Sequence, residues 1–122
     1  MPKPEPAILN NLAWAYYRVG DRRALETAKQ AYDTDSSKAY IADTYGWLLV
    51  ESGDVGKGKP KLEGAVQREP NNPSFVYHLA AARARSGDKG MAIRDLTQLL
   101  GSKEDFDERR AAEQLLKSLS DR

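Results

Sequence analysis

The feature that most constrains this chain is a Gly-Asp pair that returns at a fixed interval: Gly20-Asp21, Gly53-Asp54 and Gly87-Asp88, spaced 33 and 34 residues apart. Around the pairs, "YYRVGDRRALETAKQAY", "LLVESGDVGKGKPKLEGAV" and "ARARSGDKGMAIRDLTQLL" superpose. Ala24, Gly58 and Ala92 fall in one column, and Ala31, Ala65 and Leu99 in another. A second block precedes each pair: "LAWAYY", "YGWLLV" and "LAAARA". The first copy is one residue shorter between its Gly-Asp and the following alanine. A glycine just past a helix adopts the left-handed conformation without a Cβ penalty. An aspartate after it caps the next helix by accepting backbone N–H bonds. The unit is therefore helix, Gly-Asp turn, helix, present three times. One such hairpin cannot bury its apolar face, so the copies must stack to form a core.

This period also settles a competing motif. "SGDVGKGKPKL" contains Gly53, four residues, then Gly58-Lys59, the outline of a phosphate-cradling loop. Pro60 stands where that loop needs a magnesium-binding hydroxyl, and it has no N–H to offer a phosphate. The repeat assigns Gly53 to a helix end. No nucleotide or other cofactor site is expected.

Composition narrows the function classes. With 19 basic and 18 acidic side chains there is no global field toward nucleic acid or anionic membrane. There is no cysteine, which removes disulfides, thiolate catalysis and Cys-ligated zinc, and the single histidine, His78, removes a multi-His metal site. No apolar run reaches the roughly 18 residues of a membrane span. "MPKPEP" is not a signal peptide, and residues 1–5 read as a linker. No carboxylate pair or Ser-His-Asp set stands out, so the chain reads as non-enzymatic. His78 itself, without an acid at matched spacing, reads as a packing or surface residue.

A period of 34 with small residues in fixed columns resembles the tetratricopeptide repeat (TPR) family. The columns are carried by Leu12, Ala13, Tyr16, Ala24, Ala28 and Ala31, by Tyr45, Gly46, Leu49, Gly58, Leu62, Ala65 and Pro70, and by Leu79, Ala80, Arg83, Ala92, Leu96 and Leu99. The resemblance implies an all-α solenoid of three helical hairpins, 6–38, 39–72 and 73–104, closed by a capping helix in 105–122. The cap has its own stripe: Ala111, Ala112, Leu115, Leu116 and Leu119 share one face, with charge on the rest. Seven helices are expected, at about 7–19, 22–33, 39–52, 59–68, 74–86, 89–100 and 107–119. Ala13, Gly46 and Ala80 should face Ala24, Gly58 and Ala92 and let each pair approach closely. The N-terminus shows no matching cap and reads as the edge of a longer array.

Two departures stand out. Gly56, Gly58, Pro60 and Gly64 weaken the second helix of the middle repeat. The expected rescue is a late start with Pro60 in the first turn. Lys57, Lys59 and Lys61 would then form a mobile basic loop, and Gly58→Ala would stabilise a helical backbone. Arg83 occupies an apolar column; it is expected partly exposed, or paired with Glu104 or Asp105.

The resemblance further implies a concave groove lined by the first helix of each repeat. The matching positions are Ala7, Asn10, Trp14, Tyr17 and Arg18, then Tyr40, Asp43, Trp47, Val50 and Glu51, then Ser74, Tyr77, Ala81, Ala84 and Arg85. Of these, Asn10, Trp14, Tyr17, Arg18, Tyr40, Asp43, Trp47, Val50, Tyr77 and Arg85 are the candidate peptide contacts. Trp and Tyr concentrate binding energy at interfaces, although Trp14 and Trp47 could equally pack between neighbouring first helices. The cationic clamp by which some family members grip chaperone tails is absent: its positions hold Asn10, Trp14, Thr44, Ser74 and His78. The expected function is a scaffold binding a peptide or protein segment of unknown identity. The alternative is a structural segment that caps a longer array or self-associates. "LNNLAWAYYRVGD", "DTYGWLLVESGDV" and the closing "SKEDFDERRAAEQLLKSL" also resemble the last repeats of bacterial PEP-CTERM/exosortase-system lipoproteins. That likeness implies a role near protein sorting or exopolysaccharide export, in the periplasm or at the outer membrane. Without it a cytoplasmic location would be expected.

Overall fold

A computed structural model describes residues 4–121, so the linker expected at 1–5 lies partly outside the described residues. Seven α-helices and no strand occur among them: α1 Pro6–Arg18, α2 Arg23–Thr34, α3 Ala39–Glu51, α4 Val55–Arg68, α5 Pro73–Arg85, α6 Lys89–Gly101 and α7 Arg109–Ser120. Six agree with the sequence expectation to within two residues. Gly20, Gly53 and Gly87 have φ of 73°, 100° and 92°. Behind each, the next N–H reaches back into the helix: Asp21 to the carbonyl of Tyr16, Asp54 to Leu49 and Asp88 to Arg83, at 2.8–2.9 Å. This is the turn that ends a helix on a left-handed glycine. Asp54 and Asp88 then accept the backbone N–H of Lys57 and Met91, both at 3.3 Å. In the shorter first repeat Asp21 instead takes the N–H and the guanidinium of Arg23.

Consecutive helices pack as antiparallel hairpins, and the small residues sit at their closest approach. Ala13, Ala80 and Ala92 are fully buried and Ala24 nearly so. First helices touch one another, α1 to α3, α3 to α5 and α5 to α7. Among the described residues the backbones of α2, α4 and α6 stay apart, although the long side chain of Lys61 in α4 reaches the ring of Tyr32 in α2. A stack whose first helices meet while its second helices splay is curved, with α1, α3 and α5 on the inner side. The core follows α3, eleven of whose thirteen residues are buried. Ala112 of α7 closes the far end with Ala80 and Leu96, flanked by Leu115, Leu116 and Leu119.

α4 corrects the expectation. It begins at Val55, four residues earlier than the sequence suggests, and carries Pro60 inside it. Lys57, Lys59 and Lys61 are helical, and Lys61 lays its ammonium 5.4 and 5.3 Å from the rings of Tyr32 and Tyr45. Two contacts outweigh the local cost. Asp54 caps the helix in register with Asp88 of the next repeat, and Gly58 packs on α3. A Cβ on Gly58 would lie 2.5 Å from the carbonyl oxygen of Gly46 and 2.7 Å from Val50 Cγ2. That leaves no room for alanine, so the stabilisation expected of Gly58→Ala is reversed. Arg83 is partly exposed as expected, with 18% of its side chain accessible, but its Nη1 donates to Asp95 of α6, so the pairing with Glu104 or Asp105 is corrected.

Candidate functional site

The inner face is assembled by side-chain links that each join one first helix to the next. Trp14 Nε1 of α1 donates to Thr44 Oγ1 of α3 at 2.8 Å, and Tyr17 Oη donates to Glu51 Oε1 at 2.7 Å. From the other side Arg85 of α5 donates to Glu51 Oε2 at 3.1 Å and holds its guanidinium 5.4 Å from the ring of Trp47. Asp43 of α3 meets His78 of α5, with Nδ1 at 2.8 and 3.0 Å from its two oxygens. Glu108, which precedes α7, accepts from Ser74 Oγ at 2.6 Å and lies 3.7 Å from His78 Nε2.

Aromatic rings fill the space between these links. The His78 ring stacks on Trp47 at 4.4 Å and 21°, with Trp14 nearly parallel at 6.2 Å. Tyr17 meets Trp14 edge-on at 5.7 Å, and Tyr77 tilts against Trp47 at 5.9 Å. Burial pushes the Tyr17 hydroxyl up to about 12, helped by its bond to Glu51. Burial likewise raises Tyr77 and, against the opposing pull of His78, the Asp43 carboxyl.

The expected contact residues divide into two layers. Trp14, Tyr17 and Tyr77 are half-buried, while Arg18, Tyr40 and Arg85 are more open; these six can touch a ligand. Asn10, Asp43 and Trp47 are buried beneath them, at 4–6% exposure. Trp47 thus takes the packing role that the sequence left open, and Trp14 stands between packing and surface. Val50 is a correction. At 2% exposure it packs against Gly58 of α4 and lines no groove, because it sits on the α4 side of α3. His78, Thr44 and Glu108 are linked groups that sequence alone did not bring together. The usable signal was spacing: the links between first helices join residues 30 to 35 apart in the chain. Asn10 Oδ1 is buried with no hydrogen-bond partner. Among the described residues no group of three or more His, Asp or Glu could hold a metal ion, and no helix is long and apolar enough to cross a membrane.

No family model matches the chain, and no curated protein matches it in sequence. Solved structures do match it in shape. The first TPR domain of human RPAP3 is 15% identical with a TM-score of 0.78, over 95% of this chain and 90% of that one. The type III secretion translocator chaperone SycD of Yersinia enterocolitica is 18% identical with a TM-score of 0.75, over 93% and 81%. An O-GlcNAc transferase of Thermobaculum terrenum is 20% identical with a TM-score of 0.79, over 97% of this chain but 23% of that one. Three Gly-Asp hairpins, their curvature and these likenesses agree: the chain has the fold of a TPR-type α-solenoid, three helical hairpins closed by a capping helix.

Proposed function

We propose that this chain is a non-enzymatic scaffold that binds a peptide or protein segment along the inner face of α1, α3 and α5. The observation that carries the reading is the accessible aromatic face of Trp14, Tyr17 and Tyr77, backed by the buried rings of Trp47 and His78 and held in place by links between neighbouring first helices. Rigid aromatic surface already ordered by the fold is what a groove needs to bind an extended segment. Similar folds support it: the first TPR of RPAP3 has been solved with an HSP90 peptide, and SycD with a peptide of the translocator YopD. This chain lacks a lysine clamp at Asn10, Trp14, Thr44, Ser74 and His78, so an acidic chaperone tail is not the expected ligand. Arg18, Glu51 and Arg85 alternate in sign along the face, so burial rather than steering should hold the ligand. Affinity is then on the order of micromolar and only weakly dependent on salt.

The test is a titration of Trp fluorescence with candidate peptides at two ionic strengths. Tyr40→Ala and Arg85→Ala should weaken binding about tenfold while leaving the fold intact. Binding that salt abolishes, and that both variants retain, would move the site to Lys57, Lys59 and Lys61 and end this reading. The closing segment supports placing the scaffold in a bacterial protein-sorting or exopolysaccharide-export system, at the periplasmic or outer-membrane side. Recovery of the chain with the periplasmic or outer-membrane fraction of its host would support that placement, and recovery with the cytosol would overturn it.

A second reading, self-association or stacking in a longer array, also has an observation behind it. Ile8, Leu12 and Val19 of the first repeat are 57%, 39% and 77% exposed. The positions matching Ile8 and Leu12 in later repeats are Ile41 and Tyr45, then Phe75 and Leu79, all 9% exposed or less because a preceding second helix covers them. Light scattering that rises with concentration, and falls in Ile8→Ser with Leu12→Ser, would favour it.

A further inference from the structure

The positions that fill the junction between the first and second hairpins recur one repeat later with different chemistry. At the first junction Tyr32 of α2 packs on Tyr45 of α3, ring centroids 5.3 Å apart, and Lys61 of α4 lies over both rings. Leu49 belongs to the same cluster. One period further on, these four positions hold Val66, Leu79, Asp95 and Arg83. There they line a cavity of about 540 Å³ bounded by α4, α5, α6 and the segment after α6. Two phenol rings have been exchanged for a valine and a leucine, and the lysine for an aspartate that binds Arg83.

The geometry points to a binding site in this cavity for a phenol-type aromatic ring, the tyrosine side chain being the natural example. The chemistry follows the first junction, where the same space is taken by the chain's own tyrosines. Val66, Val76, Leu79 and Leu99 supply apolar walls that a ring would cover. Arg83 brings a cation to the wall, as Lys61 does at the first junction, and a cation is drawn to an aromatic face. Asp95 and Gln98 can accept a hydroxyl proton. A volume of this size is in the range of small-ligand pockets. It also explains why Arg83 stands in a column otherwise filled by Tyr16 and Leu49: it meets Asp95 beside the cavity rather than completing an apolar layer. The site lies at the junction of α4, α5 and α6, apart from the inner face, so its failure would leave the peptide-groove reading untouched.

The test is amide NMR of the whole chain titrated with p-cresol, the tyrosine side chain alone, with 4-methylcyclohexanol as the control of similar shape and no aromatic face. Saturable shifts confined to residues around Val76, Arg83 and Leu99 are expected for p-cresol and not for the control. Arg83→Met should weaken them about two- to fivefold, the worth of an exposed cation–π contact. Val66→Tyr with Leu79→Tyr rebuilds the ring pair of the first junction and should abolish them. If the double variant does not fold, Val66→Tyr alone carries the same expectation. N-acetyltyrosine amide separates the sources: equal shifts support a tyrosine of a partner protein, and shifts from p-cresol alone support a free phenol. No saturable shift, equal shifts from the saturated alcohol, or full binding by the filled variant would overturn the site.

Discussion

In the middle hairpin α3 and α4 meet at Gly46 and Gly58; in the last hairpin the matched positions of α5 and α6 are Ala80 and Ala92, both fully buried. The same column of small residues serves both, but two glycines bring the backbones closer than two alanines allow. A Cβ on Gly46 would lie 3.0 Å from the carbonyl oxygen of Gly58, tighter than ordinary packing. The difference also shows in α4 as a whole. It carries Gly56, Gly58, Gly64 and Pro60, whereas α6 has Gly90 in its first turn and Gly101 at its last residue. A helix this poor in intrinsic preference persists because one face is locked against α3. A glycine's role is thus set by its face: Gly58 is a contact, while a Cβ added to Gly56 or Gly64 would meet nothing within 4 Å.

The largest test of this contrast is Gly58→Ala. The nearest obstacle is backbone, which cannot rotate away, so a loss of about 2–3 kcal/mol is expected in denaturant unfolding. A neutral or stabilising result would mean that α3 and α4 are not in contact there. Pro60→Ala should act oppositely. Proline inside a helix removes one backbone bond, here to the carbonyl of Gly56, at up to about 3 kcal/mol. Gly56 and Pro60 are exposed, so water serves the orphan carbonyl, and losing proline also frees the unfolded chain. A gain of about 1–2 kcal/mol is therefore expected; a loss would show that the ring packs on a partner. Gly56→Ala and Gly64→Ala should each add about 0.5–1 kcal/mol, with no effect on the inner face.

These opposite signs show how far the sequence could be read. Period, hairpin and capping helix were legible because each rests on local chemistry repeated in phase: a left-handed glycine, an aspartate cap, a small-residue column. Gly58 falls in the right column, yet its tolerance for a methyl was not legible, because that depends on how closely α3 approaches. The start of α4 escaped for a related reason: the local penalty of Pro60 is visible in sequence, whereas the burial that overrides it is tertiary. On the inner face, residue type gave the aromatics but not their depth. Trp47 and Val50 lie in one helix three residues apart, and both proved buried, one against His78 and the other against α4. Arg83 stood out of place in its column, and only the structure supplied Asp95 and the cavity beside them.

The smallest effect concerns the end of α3, where the middle repeat is tied to both neighbours at one residue. Glu51 accepts from Tyr17 on the α1 side and pairs with Arg85 on the α5 side. The two ties should respond differently to base. Burial first, then the bond to Glu51, raises the Tyr17 hydroxyl from 10.0 to about 12. A folded-state value above the unfolded one means that the contribution is fully present below pH 10 and is lost as pH rises through about 12. Ionised Tyr17 could no longer donate to Glu51 and would set a phenolate beside its carboxylate, a loss that the Arg85–Glu51 pair on the other side does not share. The α1–α3 junction should therefore loosen in that window before the α3–α5 junction does. Spectrophotometric titration of Tyr17→Phe against the parent chain should remove a component ionising near pH 12, and the variant should lose less stability between pH 10 and 12. If the missing component ionises near pH 10 instead, the bond to Glu51 does not form in solution, and the two sides of α3 are not distinguished by it.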